Sequence, residues 1–95
     1  MTTTRTEWKI QLEKPTGGKL KTLNVKSWPI WTKEASRFDW HYEEKETCYF
    51  LEGEVTVTTP VESIEIKKGD FVTFPKGLSC TWHVKKAVRK HYFFD

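Results

Sequence analysis

The sequence ETCYFLEG at residues 46–53 decides the fold, together with GDFVTFPKG at residues 69–77. In the first stretch, alternating side chains follow a carboxylate, so Glu46, Cys48 and Phe50 are predicted to share one face of a β-strand. In the second stretch, a short aromatic and β-branched run lies between Gly-Asp and Pro-x-Gly, which predicts a turn, a strand and a turn. We therefore predict that the two stretches are the inner strands of one small β-barrel.

Alternation of apolar and polar residues continues on both sides of these stretches, and turn residues separate the runs. We predict strands at residues 8–13, 28–32, 38–42, 46–51, 54–58, 61–66, 71–74, 79–84 and 88–94. Pro29 places the second of them at a sheet edge or a bulge. Leu20, Leu23 and Val25 recur at near-helical spacing, which predicts at most one short helix near the N-terminus. Eight or nine short strands indicate an all-β barrel or sandwich.

The composition excludes several classes of partner. Sixteen basic and thirteen acidic residues are mixed along the 95-residue chain, and no basic block is present, so nucleic acid is not expected to bind. No apolar run approaches the roughly 18 to 20 residues that span a bilayer, and the first seven residues form no apolar signal segment. We expect a cytoplasmic protein that binds neither nucleic acid nor membranes.

Aromatic residues are unusually frequent, since the chain has five Trp, six Phe and three Tyr. Packing a core of this size needs fewer, so some of these rings are expected to line a cavity. The two cysteines, Cys48 and Cys80, form no CxxC unit. We expect reduced, buried thiols rather than a disulfide, because disulfides are rare inside cells.

These features resemble the cupin superfamily, whose members are RmlC-like jelly rolls, also described as double-stranded β-helix barrels. The run GD, VTFPKGL, TW and VRKHY is similar to the branch that includes ureidoglycine aminohydrolase domains. The resemblance covers about residues 26–94, with the first motif at about 40–53 and the second at about 69–84. It implies a single cupin domain over residues 1–95.

Metal-binding cupins use two histidines and a glutamate of the first motif, and a histidine or another ligand of the second. The resemblance maps these positions onto Trp40, Tyr42, Glu46 and Cys80. Tryptophan has no usable lone pair and neutral tyrosine is a poor ligand, whereas stable metal binding normally needs three or four donors. We expect no tightly bound metal; weakly bound Mn, Fe or Zn is the alternative.

The three histidines are not expected to replace the missing ligands. His41, His83 and His91 are each one residue out of phase with the interior positions, such as Trp40 and Trp82. Because strand side chains alternate between faces, all three imidazoles are predicted on the outer face, at exposed or edge positions.

A small-ligand pocket is predicted at the barrel mouth, with the lining residues Trp40, Tyr42, Glu46, Cys48, Cys80, Trp82, Lys90 and Tyr92. Such a pocket suits a small ligand with a flat or cationic body and a donor group for the carboxylate. The alternative is that the aromatic rings simply fill the barrel. Lys90 shares strand parity with Tyr92, although exposure is the commoner state of a lysine. Cys80 is expected to be inert, because no in-phase histidine is available to activate it.

Three functions remain open at this point. The first is a small-molecule-binding cupin without a tightly bound metal. The second is a metal-dependent enzyme of the aminohydrolase or isomerase kind acting on a small polar metabolite, with Glu46 as general base or metal ligand. The third is an oligomerising module that pairs through the outer aromatic residues Trp31, Tyr49 and Phe93. We expect a homodimer.

Overall fold

A computed structural model describes residues 9–95 of the chain. The elements in these residues are β1 (Gln11–Glu13), α1 (Gly17–Thr22), a 3₁₀ turn (Val25–Ser27), β2 (Ile30–Lys33), β3 (Ser36–His41), β4 (Glu46–Thr58), β5 (Ser63–Lys67), β6 (Phe71–Phe74) and β7 (Ser79–Phe94). The prediction of an all-β protein with one short helix is confirmed. Trp8, which the sequence analysis placed in the first strand, lies outside the described residues.

Two long strands, β4 and β7, organise the antiparallel sheet and pair with each other along most of their length. The sheet order is β1-β6-β4-β7-β2, with β5 added beside β4 and β3 beside β7. The first part of β4 pairs with β6 and its second part with β5. Likewise, the first part of β7 pairs with β3 and its last part with β2. The sheet therefore closes into a barrel with two faces, both of which contain β4 and β7.

A bulge in β4 makes the change of face possible. Gly53 has a φ of 106° and packs directly against β7, since a Cβ there would lie 2.5 Å from the carbonyl oxygen of Ala87. The pairing register with β7 shifts between Phe50 and Val55. A bulge bends a strand without ending its pairing, so β4 and β7 each continue where two separate strands were predicted. The described residues thus form seven strands rather than eight or nine.

The N-terminal segment differs in detail from its prediction. The side chain of Thr16 accepts a hydrogen bond from the backbone N–H of Lys19 at 3.1 Å, so α1 begins there despite its two glycines. Val25 is buried in the 3₁₀ turn rather than in a helix. Leu12 of β1 is 39% exposed, although it alternates with the buried Ile10 in the predicted strand at residues 8–13. Within residues 9–95, no helix has the length and apolar character needed to cross a bilayer.

The core lies between the two faces and is rich in stacked rings. The rings of Tyr42 and Phe74 are parallel to within 8°, with centroids 5.0 Å apart. Phe74 in turn packs against Trp82, with centroids 5.6 Å apart. Trp82 then contacts Phe38 and Trp31 at 6.0 and 5.8 Å. One continuous aromatic cluster therefore extends from the core to the cavity described below.

Candidate functional site

Glu46, the first residue of β4, is the centre of the candidate site. It is only 4% exposed, and its two carboxylate oxygens have separate partners. The hydroxyl of Tyr42 donates to Oε1 at 2.8 Å, and the ammonium of Lys90 donates to Oε2 at 2.7 Å. We call these three residues the polar trio. Because a buried carboxylate is costly without partners, these two bonds explain how Glu46 is accommodated in the barrel.

The backbone positions Tyr42 and Lys90 of the polar trio. The N–H of Tyr42 donates to the carbonyl of Leu78, and its carbonyl accepts from the N–H of Gly77, both at 2.8 Å. Gly77 has a φ of 89°, which explains the glycine in the Pro-x-Gly turn of the second motif. Lys90 lies in the last part of β7, directly opposite Trp31 of β2. The two motifs and the C-terminal strand thus meet at one site.

Lys90 is buried, with 3% exposure, as its predicted position in the pocket requires, although exposure is the commoner state of a lysine. Its Nζ lies 4.6 Å from the ring centroid of Trp82, 4.9 Å from that of Trp31 and 5.7 Å from that of Phe50. These cation–π contacts and the bond to Glu46 offset the cost of removing the ammonium from water. Residue type alone favours exposure, so these partners explain why Lys90 is buried.

A cavity of about 230 Å³ is lined by the polar trio and by aromatic rings. The rings belong to Trp31, Phe38, Trp40, Trp82, Tyr92 and Phe94. Trp40 and Phe94 are 48% and 41% exposed, so they border the opening to solvent. The predicted pocket residues Trp40, Tyr42, Glu46, Trp82, Lys90 and Tyr92 are thus brought together. The cavity combines an apolar wall with a few polar groups, which is the usual composition of a small-ligand site.

Three lining residues were not predicted: Trp31, Phe38 and Phe94. Trp31 had been assigned to the outer face, but its position opposite Lys90 directs it inward. Phe38 lies opposite Trp82 in the pairing of β3 with β7 and shares its strand parity with Trp40, so the sequence contained a signal for it. The phase of Trp31 could not be deduced, because Pro29 interrupts the alternation in that segment.

The two cysteines do not line this cavity, so that part of the predicted pocket is wrong. Cys48 is completely buried, and its thiol donates to the carbonyl of Val72 at 3.7 Å. Cys80 is 7% exposed and contacts a separate, open depression beside Trp40. Burial raises the pKa of the Cys48 thiol well above its ordinary value and raises the pKa of Cys80 to about 11. Both are free, protonated thiols at neutral pH.

None of the three histidines lines the cavity. His41 and His83 are exposed, and Nδ1 of His41 lies 2.8 Å from the hydroxyl oxygen of Ser79. His91 differs from its prediction, because it is only 8% exposed. Its Nδ1 lies 2.9 Å from the carbonyl oxygen of Trp28, whose segment covers this part of the outer face.

The residues at the cupin ligand positions do not fit a metal ion. Burial, followed by the nearby charge of Glu46, raises the pKa of Tyr42 far above its ordinary value, so its hydroxyl is a donor and not a phenolate ligand. The ammonium of Lys90 already binds the other oxygen of Glu46. Within residues 9–95, no group of three or more His, Cys, Asp or Glu side chains is arranged to bind a metal. The ammonium of Lys90 therefore compensates the negative charge of Glu46, as a metal ion would do in a metal-binding cupin.

The cavity retains unused hydrogen-bonding capacity. Lys90 has three N–H donors, of which one is used by Glu46, and each oxygen of Glu46 has a further lone pair. A ligand in the cavity can therefore both accept a hydrogen bond and donate one.

The antiparallel barrel, its two turn motifs and an interior site at the start of β4 define a small cupin. Residues 20–92 match the family model described as the EutQ-like cupin domain. The chain belongs to this family. The narrower resemblance to ureidoglycine aminohydrolase domains stays a prediction.

Solved structures agree with this assignment. A DUF861 family protein from Thermotoga maritima is 57% identical with a TM-score of 0.90, over 92% of this chain and 100% of that one. The EutQ protein of Clostridium difficile is 20% identical with a TM-score of 0.63, over 68% of this chain and 52% of that one. A putative ethanolamine utilization protein Q from Salmonella typhimurium is 24% identical with a TM-score of 0.64, over 90% of this chain and 68% of that one. The last two support the fold alone. No curated protein matches.

Proposed function

We propose that this protein binds a small molecule in its aromatic cavity, without a tightly bound metal ion. The observation that carries the proposal is the polar trio, which lies at the wall of an open cavity of about 230 Å³. Ligand sites typically combine apolar walls with a few convergent polar groups. The cationic and anionic members of the trio are both nearly inaccessible to water, with side-chain exposures of 4% for Lys90 and 5% for Glu46.

Packing alone does not account for this arrangement. Replacing a buried ion pair by apolar side chains of similar size is often neutral or stabilising. A barrel that needed only to be filled would therefore gain nothing from Lys90 and Glu46. A binding site, in contrast, uses such groups to orient a ligand between aromatic walls.

Titration of the ¹⁵N-labelled protein with four planar probes tests the proposal. The probes are indole, phenol, benzamide and 2-pyridone, and the observed signals are the indole N–H resonances of Trp31, Trp40 and Trp82, which line the cavity. We expect at least one probe to shift these resonances saturably. Absence of any saturable shift with all four probes would contradict the proposal.

Two neighbouring phenylalanines of β7 provide a matched pair of variants. Phe94 lines the cavity and Phe93 does not, although they are similarly exposed, at 41% and 46%. We expect Phe94→Ala to weaken probe binding and Phe93→Ala to leave it unchanged. Equal effects of the two substitutions would show that the probe binds elsewhere.

A homodimer is a second proposal, supported by an outer apolar patch of Trp28, Ile30 and Phe93. The rings of Trp28 and Phe93 stack with centroids 5.5 Å apart, and Phe93 is 46% exposed. Ile30 lies opposite His91, on the same strand face as Phe93, and is 47% exposed. Of the aromatic set predicted for this surface, Trp31 is excluded because it lines the cavity, and Tyr49 is half-buried.

Sedimentation velocity over about a hundredfold concentration range tests self-association, because mass action favours the dimer at high concentration. We expect Phe93→Ser to shift the equilibrium toward the monomer. Val61→Ser is the matched control, since Val61 is 69% exposed and lies in the turn between β4 and β5. A wild-type protein that stays monomeric throughout would refute the dimer.

The metal-dependent enzyme is not part of this proposal, because the ligand positions do not fit a metal ion. A catalytic role of Glu46 and a cytoplasmic location stay predictions from the sequence.

A further inference from the structure

We infer that the ligand of the cavity is a neutral, planar molecule that carries a carbonyl oxygen beside an N–H group, as in a cyclic amide. This inference rests on the proposed binding function and adds the chemical class of the ligand. It follows from three properties of the site: its charge, its unused hydrogen-bonding groups and its shape.

The charge of the site favours a neutral ligand. The ammonium of Lys90 and the carboxylate of Glu46 compensate each other at 2.7 Å, and Tyr42 is a neutral donor. A charged ligand would therefore bring an uncompensated charge into a cavity whose remaining wall is aromatic, which is costly. An anion would in addition approach Glu46, and a cation would approach Lys90.

The hydrogen-bonding groups favour an acceptor and a donor side by side. Lys90 has unused N–H donors, whereas Glu46 has unused lone pairs, and the bonded atoms of the two lie 2.7 Å apart. In an amide, the oxygen and nitrogen atoms are about 2.2 Å apart, as the bond lengths require. An amide edge can therefore accept from Lys90 and donate to Glu46 together.

A ring is needed to bring both amide groups to one edge. Secondary amides in open chains are almost always trans, which directs the N–H away from the carbonyl oxygen, and the cis form costs about 2.5 to 4 kcal/mol. A small ring fixes the cis form without that cost. Aromatic side chains form most of the cavity wall, which suits the apolar faces of such a ring.

The test compares the affinities of four probes for the wild-type protein, measured from the shifts of the same indole N–H resonances. They are 2-pyridone, N-methyl-2-pyridone, benzoate and benzylammonium. Methylation removes the donor and keeps the ring and the carbonyl, so we expect 2-pyridone to bind at least about tenfold more tightly than its methyl derivative, because a buried acceptor of Glu46 would lose its partner. Both charged probes are expected to bind more weakly than 2-pyridone.

The outcomes separate this inference from the proposed function. Equal binding of the two pyridones, or tighter binding of a charged probe, would overturn the amide class while leaving small-molecule binding intact. Binding of indole or phenol without binding of 2-pyridone would likewise overturn the amide class and leave small-molecule binding intact. If no planar probe binds, the proposed function and the inference both fail.

A matched pair of substitutions locates the donor contact. Glu46→Gln keeps the size of the side chain but changes one acceptor into a donor, so the preference for 2-pyridone over its methyl derivative should disappear. Glu52→Gln is the control, because Glu52 lies on the same strand, is exposed and contacts Arg89 instead. Retained preference in Glu46→Gln would overturn the inference. If this variant does not fold, the probe series on the wild type still decides.

Discussion

Lys90 donates a hydrogen bond of 2.7 Å to Glu46 at a point where both side chains are at most 5% exposed. The preceding residue of β7, Arg89, forms an ion pair of 3.3 Å with Glu52 of the same partner strand. That second pair is largely open to solvent, since its side chains are 44% and 61% exposed. Two ion pairs between the same two strands thus differ mainly in their surroundings.

The buried pair should be far more sensitive to substitution than the exposed one. Lys90→Met removes the cation and leaves the carboxylate of Glu46 buried, so we expect a loss of about 3 to 5 kcal/mol in the free energy of unfolding. Arg89→Met should cost no more than about 1 kcal/mol, because exposed pairs are screened by water. Urea unfolding of both variants measures the difference.

The corresponding double variant tests the cause of that loss. Glu46→Leu combined with Lys90→Met removes both charges, so it should be more stable than Lys90→Met alone. Equal costs for Lys90→Met and Arg89→Met would show that burial of the pair contributes little to its effect on stability.

Gly53 should tolerate no side chain. An alanine there would adopt a φ of 106°, and its Cβ would lie 2.5 Å from the carbonyl oxygen of Ala87 and 2.7 Å from Cα of Val88. We expect Gly53→Ala to lower the free energy of unfolding by more than about 1 kcal/mol. Gly17→Ala is the control: a Cβ at this position of α1 would have no other atom within 4 Å, so the substitution should be neutral or stabilising by up to about 1 kcal/mol. Urea unfolding measures the free energy of unfolding of both variants, and similar changes in the two would contradict this account of the bulge.

Stability should fall in alkaline solution. Burial raises the pKa of Cys80 to about 11 and raises the pKa of Cys48 and Tyr42 further, so the unfolded chain releases these protons at lower pH than the folded one. The stabilisation is complete below the ordinary thiol pKa of about 8.5 and is lost as the pH rises toward 11. Urea unfolding between these limits measures the fall, which should be smaller in Cys48→Ala. A stability that is constant or increases over this range would contradict the prediction.

The same burial should make both thiols slow to react. In the native protein at pH 8, Cys48 and Cys80 are protonated, so a disulfide reagent such as DTNB should modify them slowly compared with the urea-unfolded chain. Cys80, which borders the open depression, should react before Cys48. Rapid modification of the folded protein would show that one of them is accessible as a thiolate.

Metal removal should have no effect on stability. Because Lys90 already neutralises Glu46, dialysis against EDTA and addition of Mn²⁺ should each shift the melting temperature by less than about 1 °C, as expected when no ion binds the native state. Elemental analysis of protein purified without chelators accompanies this measurement. A stoichiometric transition metal that stabilises the fold would show that the site does accommodate an ion.

The sequence predicted those parts of the site that depend on strand phase. Glu46 and Trp82 belong to uninterrupted alternating strands, so their inward direction could be deduced from period alone. The continuity of β4 through Gly53 could not be deduced from the sequence, because a glycine marks a bend equally well in one bulged strand or between two strands. The number of strands was therefore overestimated.

The remaining features depend on contacts between distant segments. Lys90 is buried because Glu46, 44 residues earlier, binds its ammonium, and residue type alone favours exposure. Cys80 has the phase of Trp82 and still contacts a different depression. Strand phase gives the direction of a side chain, whereas its depth along the barrel depends on the register of pairing, which local sequence does not determine.

The sharing of β4 and β7 by both faces has a consequence for folding kinetics. Neither face has its central strands until these two segments, which are far apart in sequence, have met. The entropy of closing that long loop is lost before most of the stabilising contacts form, so the transition state should involve the β4–β7 ladder, and refolding should be slower than for a helical protein of the same length. Substitutions within this ladder are accordingly expected to slow refolding, whereas those in β1 or β5 should chiefly accelerate unfolding.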